Sequence, residues 1–161
     1  MGQEISIGSA KMKQERVEIR NLAAIAGAEE DEIDDMIEGD RVFVARKKRI
    51  IVGFISVRYR TEEKCFEISG LAVDERERRR GLATLLLKHA EGFARDKTVD
   101  KLTTKTNNDN IPALALYQKA GFKITEVRIG ALIAHHKGKE IQGWSKIPVR
   151  DEIVLEKNLS N

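Results

Sequence analysis

The chain has 161 residues, about one ordinary domain, and its 41% hydrophobic and 34% charged residues are a globular rather than a disordered composition. With 29 Lys and Arg against 26 Asp and Glu, a net charge of +3 is a weak bias for a nucleic-acid binder. The single cysteine, Cys65, excludes an internal disulfide, no apolar run approaches the roughly 18 residues of a membrane span, and the N-terminus lacks a signal-peptide pattern, so a soluble cytoplasmic protein is expected.

In chain order, "EISIGSA" (4–10) alternates weakly and is expected to be a first strand. Residues 11–38 have helical spacing in two amphipathic pieces broken near Gly27. "RVFVARKKRIIVGFISVRYR" (41–60) predicts a hairpin turning at Lys47 and Lys48, and "KCFEISGLAV" (64–73) a further strand with a glycine inside it. Leu82, Leu85, Leu86, Ala90 and Phe93 recur at helical spacing, which predicts a helix from Gly81 to about Arg95. "DKLTTKT" (100–106) is a short strand, and "NIPALALYQKAG" (110–121) a helix stopped at Gly121. "FKITEVRIGALI" (122–133) and "VRDEIVLEKNL" (149–159) are predicted as two more strands.

The strands at 64–73 and 100–106 are joined through a helix, so a parallel pair with a right-handed crossover is expected, the other pairs being antiparallel. The fold class is therefore α+β: a mixed sheet with helices packed on it in three layers. No repeat, low-complexity segment or linker divides the chain, and 1–161 is expected to form a single domain.

"RERRRGLAT" (76–84) places four arginines in five positions, followed by a glycine and small residues. It lies where a strand ends and a helix opens. Free N–H groups and partial positive charge in a first helical turn form an anion site. Gly81 removes the side chain that would block a phosphate, Ala83 keeps the next turn open, and adjacent arginines add charge-assisted hydrogen bonds. The loop is neither a P-loop nor a dinucleotide-binding fingerprint. On physics alone the alternative stays open: a solvated basic turn balanced by Asp74, Glu75 and Glu77.

Arg78-x-x-Gly81-x-Ala83 resembles the Arg/Gln-x-x-Gly-x-Gly/Ala signature of the GNAT superfamily of N-acetyltransferases. "NIPALALYQKAGF" is similar to that family's Asn-x-x-Ala-x-x-Leu-Tyr-x-x-x-Gly-Phe block, with Asn110, Ala113, Leu116, Tyr117, Gly121 and Phe122 in place. The resemblance implies a GNAT fold: a mixed, mostly antiparallel sheet of about seven strands, about four helices, and central parallel strands splayed apart. It implies acetyl-CoA as co-substrate and a primary amine as acceptor, on a small molecule or a protein or peptide N-terminus, with no metal. By the same resemblance Arg78, Arg79, Arg80, Gly81, Leu82, Ala83 and Thr84 hold the pyrophosphate. Leu71, Ala72 and Val73 pair with the pantetheine, Asn110 lies near the pantetheine arm, and Tyr117 protonates the departing thiolate. Many members are dimers, and a homodimer is compatible with the resemblance.

Three features of the residues bear on these roles. Asn110 and Tyr117 lie two helical turns apart on one face, roughly 10 Å along the axis; read without the motif, the residues favour Tyr117 as a core tyrosine with a satisfied hydroxyl. Gly70 inside its strand is a bulge signal. Glu67 stands where some family members carry a glutamate that deprotonates the amine through water. Alternation puts Glu67 on the face of Leu71 and Val73 unless a bulge changes the parity; the alternative is a solvent-facing carboxylate.

Other residues carry less. His135 and His136 are adjacent with no completing ligand pattern, so no metal is expected. His89 falls by the apolar stripe of its helix as a packed histidine, and Cys65 is a strand packing residue. The acidic stretch 28–40 is a solvated helix face or an acidic rim attracting cationic amines. The long connection 134–148, with Trp144 and Pro148, is a candidate acceptor wall. Two rival classes are a CoA-binding module without turnover and a nucleic-acid-binding domain; Tyr117 opposes the first, and the modest net charge opposes the second, so no nucleic-acid or membrane partner is expected.

Overall fold

Alternating and helical patterns become elements close to their expected places in the computed structural model, which describes residues 4–160. Strand β1 (Ile5–Ser9) is followed by helices α1 (Met12–Ile25) and α2 (Glu30–Gly39). Glu29 and Glu32 satisfy each other's backbone N–H groups in a capping box, which sets where α2 begins. Strands β2 (Arg41–Lys47) and β3 (Ile50–Arg60) form the expected hairpin, and β4 (Cys65–Val73) returns beside β3. Helix α3 (Leu82–Asp96) follows.

The chain divides into two compact units after Val99. In the first, β1, β2, β3 and β4 are neighbours in that order, all antiparallel. Strand β3 is buried on both faces. On one face Ile19, Leu22 and Ala23 of α1 and Ile33, Met36 and Ile37 of α2 pack with Val42, Val44, Phe54 and Ala72. On the other, α3 brings Phe93 against Phe43 and Phe66, with ring centroids 5.1 and 5.2 Å apart. His89 packs edge-on to Phe43 at 4.6 Å, as a helix-stripe histidine should. Each fully buried aliphatic contributes about 1.5–3 kcal/mol, so either face alone would fix the register of β3.

The second unit contains β5 (Lys101–Asn107), α4 (Ile111–Lys119), β6 (Lys123–Arg128), α5 (Ala131–His135), β7 (Ile141–Gln142), β8 (Pro148–Val149) and β9 (Glu152–Asn158). Strand β9 lies between β5 and β6, antiparallel to both. Leu102, Tyr117, Phe122, Leu155 and Leu159 are buried.

Two strand predictions are corrected here. The strand expected over 122–133 ends at Arg128, and residues 131–135 are helical instead. Gly130 takes a left-handed φ of 74° and donates its N–H to the Asp151 carboxylate at 2.8 Å. That reverses the chain and lets Leu132 bury on a helical turn. The strand expected over 149–159 begins at Glu152, because Val149 pairs with Ile141 in a small hairpin. The connection 134–148 is therefore structured, and α5 is a short fifth helix. Among the described residues, seven longer strands and five helices make the layered α+β fold that was expected.

Candidate functional site

Strand β4 ends at Val73, and Asp74 opens the turn that follows. The Asp74 carboxylate accepts from the backbone N–H of Arg76 at 2.9 Å and from its guanidinium at 3.2 Å. Glu77 takes the Lys47 ammonium at 2.8 Å and Arg80 at 3.0 Å. Arg76 holds the Asp74 carboxyl below the usual range, and Lys47 does the same for Glu77. Arg76 and Arg80 are thus committed to carboxylates, whereas Arg78 reaches the Val73 carbonyl at 3.4 Å. Arg79, with φ at 64°, is the one arginine of the four whose side chain bonds to no group among the described residues.

Gly81 is the N-cap of α3 in a left-handed conformation, φ 78°, and no side chain caps the helix. The first-turn N–H groups of α3 are therefore available to an anion. A Cβ on Gly81 would meet nothing within 4 Å: the backbone conformation, rather than crowding, calls for glycine, and the space beside it is open. Leu82 is buried and pins the turn to the core, while Thr84 is exposed.

Leu71, Ala72 and Val73 pair with Ile55, Phe54 and Gly53 of β3. Ser56 pairs with Gly70 but Val57 with Ile68, which leaves Ser69 as an extra residue in β4. This is the bulge that Gly70 signalled, displaced by one position. It reverses the parity of the strand. Leu71 and Val73 lie on the α3 face, where a Cβ on Gly53 would meet Leu86 at 3.2 Å. Glu67 lies opposite Arg58, on the α1 and α2 face, and its Oε1 accepts from the Arg60 guanidinium at 2.6 Å. Simple alternation, which grouped Glu67 with Leu71 and Val73, fails at this one residue.

The bulge is held by residues the sequence did not single out. Ser69 donates to Asp40 at the end of α2, Ser56 Oγ lies 2.8 Å from Ser69 Oγ, and Arg58 Nε donates to Asp40. Asp40 closes an acidic run, and nothing local in that run distinguishes it from its solvated neighbours. Gly70 is enclosed: a Cβ there would stand 2.9 Å from Ser56 Oγ, 3.0 Å from the Phe54 ring and 3.1 Å from Met36 Sδ.

In the second unit Asn110 caps α4, its Oδ1 accepting from Ala113 N–H at 3.2 Å. Two turns later Tyr117 is buried, 6% exposed, with its ring edge-on to Phe122 at 5.3 Å. Burial pushes the Tyr117 hydroxyl above its ordinary value, and a hydrogen bond with Thr104 opposes this in part. The phenol is consequently protonated throughout the neutral range, in the state needed for donating a proton.

A family model described as the acetyltransferase (GNAT) family matches residues 12–122. The chain is 37% identical over 112 residues to the uncharacterised protein YxbD of Bacillus subtilis strain 168, covering 68% of each chain. Among solved structures it is similar to an IAA acetyltransferase from Bacillus cereus ATCC 14579, with a TM-score of 0.84 and 28% identity over 97% of this chain and 100% of the other. It is also similar to a GNAT family acetyltransferase from Elizabethkingia anophelis with acetyl-CoA bound, with a TM-score of 0.86 and 25% identity over 98% and 100% of the two chains. No helix among the described residues is long and apolar enough to cross a membrane.

Proposed function

The chain belongs to the acetyltransferase (GNAT) family and is an acetyl-CoA-dependent acyltransferase, and from this premise we propose that it transfers acetyl directly to a primary amine of a small molecule or of a protein or peptide N-terminus. The observation that carries the reading is the turn from β4 into α3, with its left-handed Gly81, uncapped first helical turn and uncommitted Arg79. These groups are suited to a pyrophosphate. Arg78, Arg80, Ala83 and Thr84 complete the cradle, with Leu82 contributing only backbone, because its side chain is buried.

Backbone groups of Leu71, Ala72 and Val73 receive the pantetheine, and their N–H groups polarise the thioester carbonyl as its oxygen gains charge. Asn110 donates to the pantetheine arm. The amine arrives as an ammonium and loses a proton to Glu67 through water. Its nitrogen lone pair then forms the C–N bond at the thioester carbon, and collapse of the tetrahedral adduct breaks the C–S bond. The thiolate takes the Tyr117 hydroxyl proton, which is restored from the amine's second released proton by way of solvent. A thiol of pKa near ~8.5 is a tolerable leaving group, so Tyr117 contributes toward the lower end of the roughly 10²–10⁴-fold typical of a positioned acid.

The test is a thermal shift with acetyl-CoA followed by a thiol-release screen over polyamines, aminoglycosides, amino acids and N-terminal peptides. At a hundred times its Kd, acetyl-CoA stabilises the protein by about 2.7 kcal/mol. No shift at millimolar acetyl-CoA, or binding without release of thiol for any amine, defeats the proposal.

A further inference from the structure

Three consecutive residues after β5 organise the end of the second unit. Asn108 Oδ1 accepts from the N–H groups of Arg150 at 2.9 Å and Asp151 at 3.0 Å, and its Nδ2 donates to the Pro148 carbonyl at 3.0 Å. Asn110 caps α4. Asp109 stands between them, only 7% exposed. Its Oδ2 accepts from the Trp144 N–H at 2.9 Å, while its Oδ1 is buried with no hydrogen-bond partner among the described residues.

An ionised carboxylate has room for about four hydrogen bonds, and burying one with a single donor is costly unless a cation joins it. Among the described residues no lysine or arginine pairs with Asp109. The protein nevertheless makes space for this group. A Cβ on Gly143 would overlap the Asp109 carboxylate and stand 2.7 Å from Val149 Cγ2, so glycine at 143 is what admits the acid. Gly143 and Ile147 close the tip of the β7–β8 hairpin through a 2.8 Å bond, and Trp144 on that tip is 52% exposed. The site is thus an acid held rigidly at the base of a hairpin that presents an aromatic residue.

We propose that Asp109 is a recognition site for an ammonium group of the acceptor. The inference rests on the acceptor being an amine, as argued above, and it narrows the class. Because Oδ2 is engaged by Trp144, one oxygen remains. An ammonium, a compact charge with three donors, is served by one oxygen, whereas the planar fork of a guanidinium favours two. Pairing with a buried carboxylate keeps that ammonium protonated, so it cannot itself attack a thioester. The acceptor therefore carries a second, reacting amine: it is a diamine or polyamine, or an amino sugar or peptide with two amino groups.

The chain has one tryptophan, so Trp144 fluorescence reports on this site without turnover and without acetyl-CoA. The wild-type protein is titrated with spermidine and with butylguanidine at matched ionic strength. The expected result is a saturable change with spermidine and at least tenfold weaker binding of the guanidine. Asp109→Asn, which keeps an acceptor for Trp144 but removes the charge, weakens spermidine at least tenfold while its thermal shift with acetyl-CoA persists. No saturable response to millimolar spermidine, equal binding of the two probes, or unaltered binding by Asp109→Asn overturns the proposal. Should Asp109→Asn fail to fold, the probe comparison on the wild type still decides. Binding of spermidine without acetyl transfer to any amine would leave this site standing and remove the amine-acetyltransferase reading instead.

Discussion

Gly70→Ala probes the bulge most directly. The added methyl would sit 2.9 Å from Ser56 Oγ, 3.0 Å from the Phe54 ring and 3.1 Å from Met36 Sδ, all closer than ordinary van der Waals contact. Ser56 and Phe54 are fully buried, Ser56 being tied to Ser69 at 2.8 Å, so neither yields easily; Met36 can rotate. Overpacking of this kind costs about 1–3 kcal/mol. Against it, replacing glycine lowers the entropy of the unfolded chain and returns about 0.4–1 kcal/mol. At mid-range the clash wins by about 1.3 kcal/mol, the extremes leaving about 0–2.6, and the mid-range loss is a fall in Tm of roughly 3–5 °C for a chain of this size. Calorimetry or thermal circular dichroism measures it. Removing the nearest obstacle, as Ser56→Ala/Gly70→Ala, should recover part of the loss, with a coupling of about 0.5–3 kcal/mol. That double variant also keeps the test readable if Gly70→Ala alone unfolds. A Gly70→Ala protein as stable as the parent, or a double variant showing no coupling, would refute the account of the enclosed strand.

Tyr117→Phe should lower kcat by about 100-fold with little change in the acetyl-CoA thermal shift; unchanged turnover removes the acid role. Since burial raises the Tyr117 hydroxyl, its deprotonation should produce no decline in rate until pH passes ~10, and a Tyr117-dependent alkaline limb near neutrality would contradict that direction. Arg79→Ala should weaken acetyl-CoA about tenfold or more, the scale of a charge-assisted bond of about 1.5–3 kcal/mol, while Arg76→Ala should matter least because Asp74 already holds Arg76. Titration calorimetry separates them, and equal losses from both variants would favour a diffuse basic patch. Glu15 grips Arg46 through both carboxylate oxygens, at 2.6 and 2.7 Å, and the Arg46 guanidinium holds its carboxyl below the usual range. Stability from this pair is present above the unfolded carboxylate value of ~4.3 and is lost as pH falls through the lower folded value. Glu15→Gln should therefore reduce Tm at pH 7, with the gap to wild type closing towards pH ~3; a gap independent of pH would show that the charge is not what stabilises.

Signals confined to one element were legible in the residues. The apolar spacing of Leu82, Leu86 and Ala90 was enough for α3, since a helix buries a stripe written in its own sequence, and Asn110 and Gly121 marked both ends of α4. Gly130 shows the first limit. "IGALI" reads as strand or as turn and helix, and what decides is the Asp151 carboxylate on its N–H, supplied from a distant stretch of chain. Asp40 and Asp109 show the second: each looks like one acid among many, and only a partner distant in sequence, Ser69 or Trp144, separates it from solvated neighbours. Glu67 is the sharpest case. Every residue of β4 was visible and Gly70 signalled a bulge, yet the pattern left the face of Glu67 open, because a strand's parity depends on its pairing with β3 as well as on its own alternation. One extra residue at Ser69 turns the carboxylate from the side of Leu71 and Val73 towards Arg58 and α2 without altering the hydrophobic pattern, and only the pairing of Val57 with Ile68 reveals the turn.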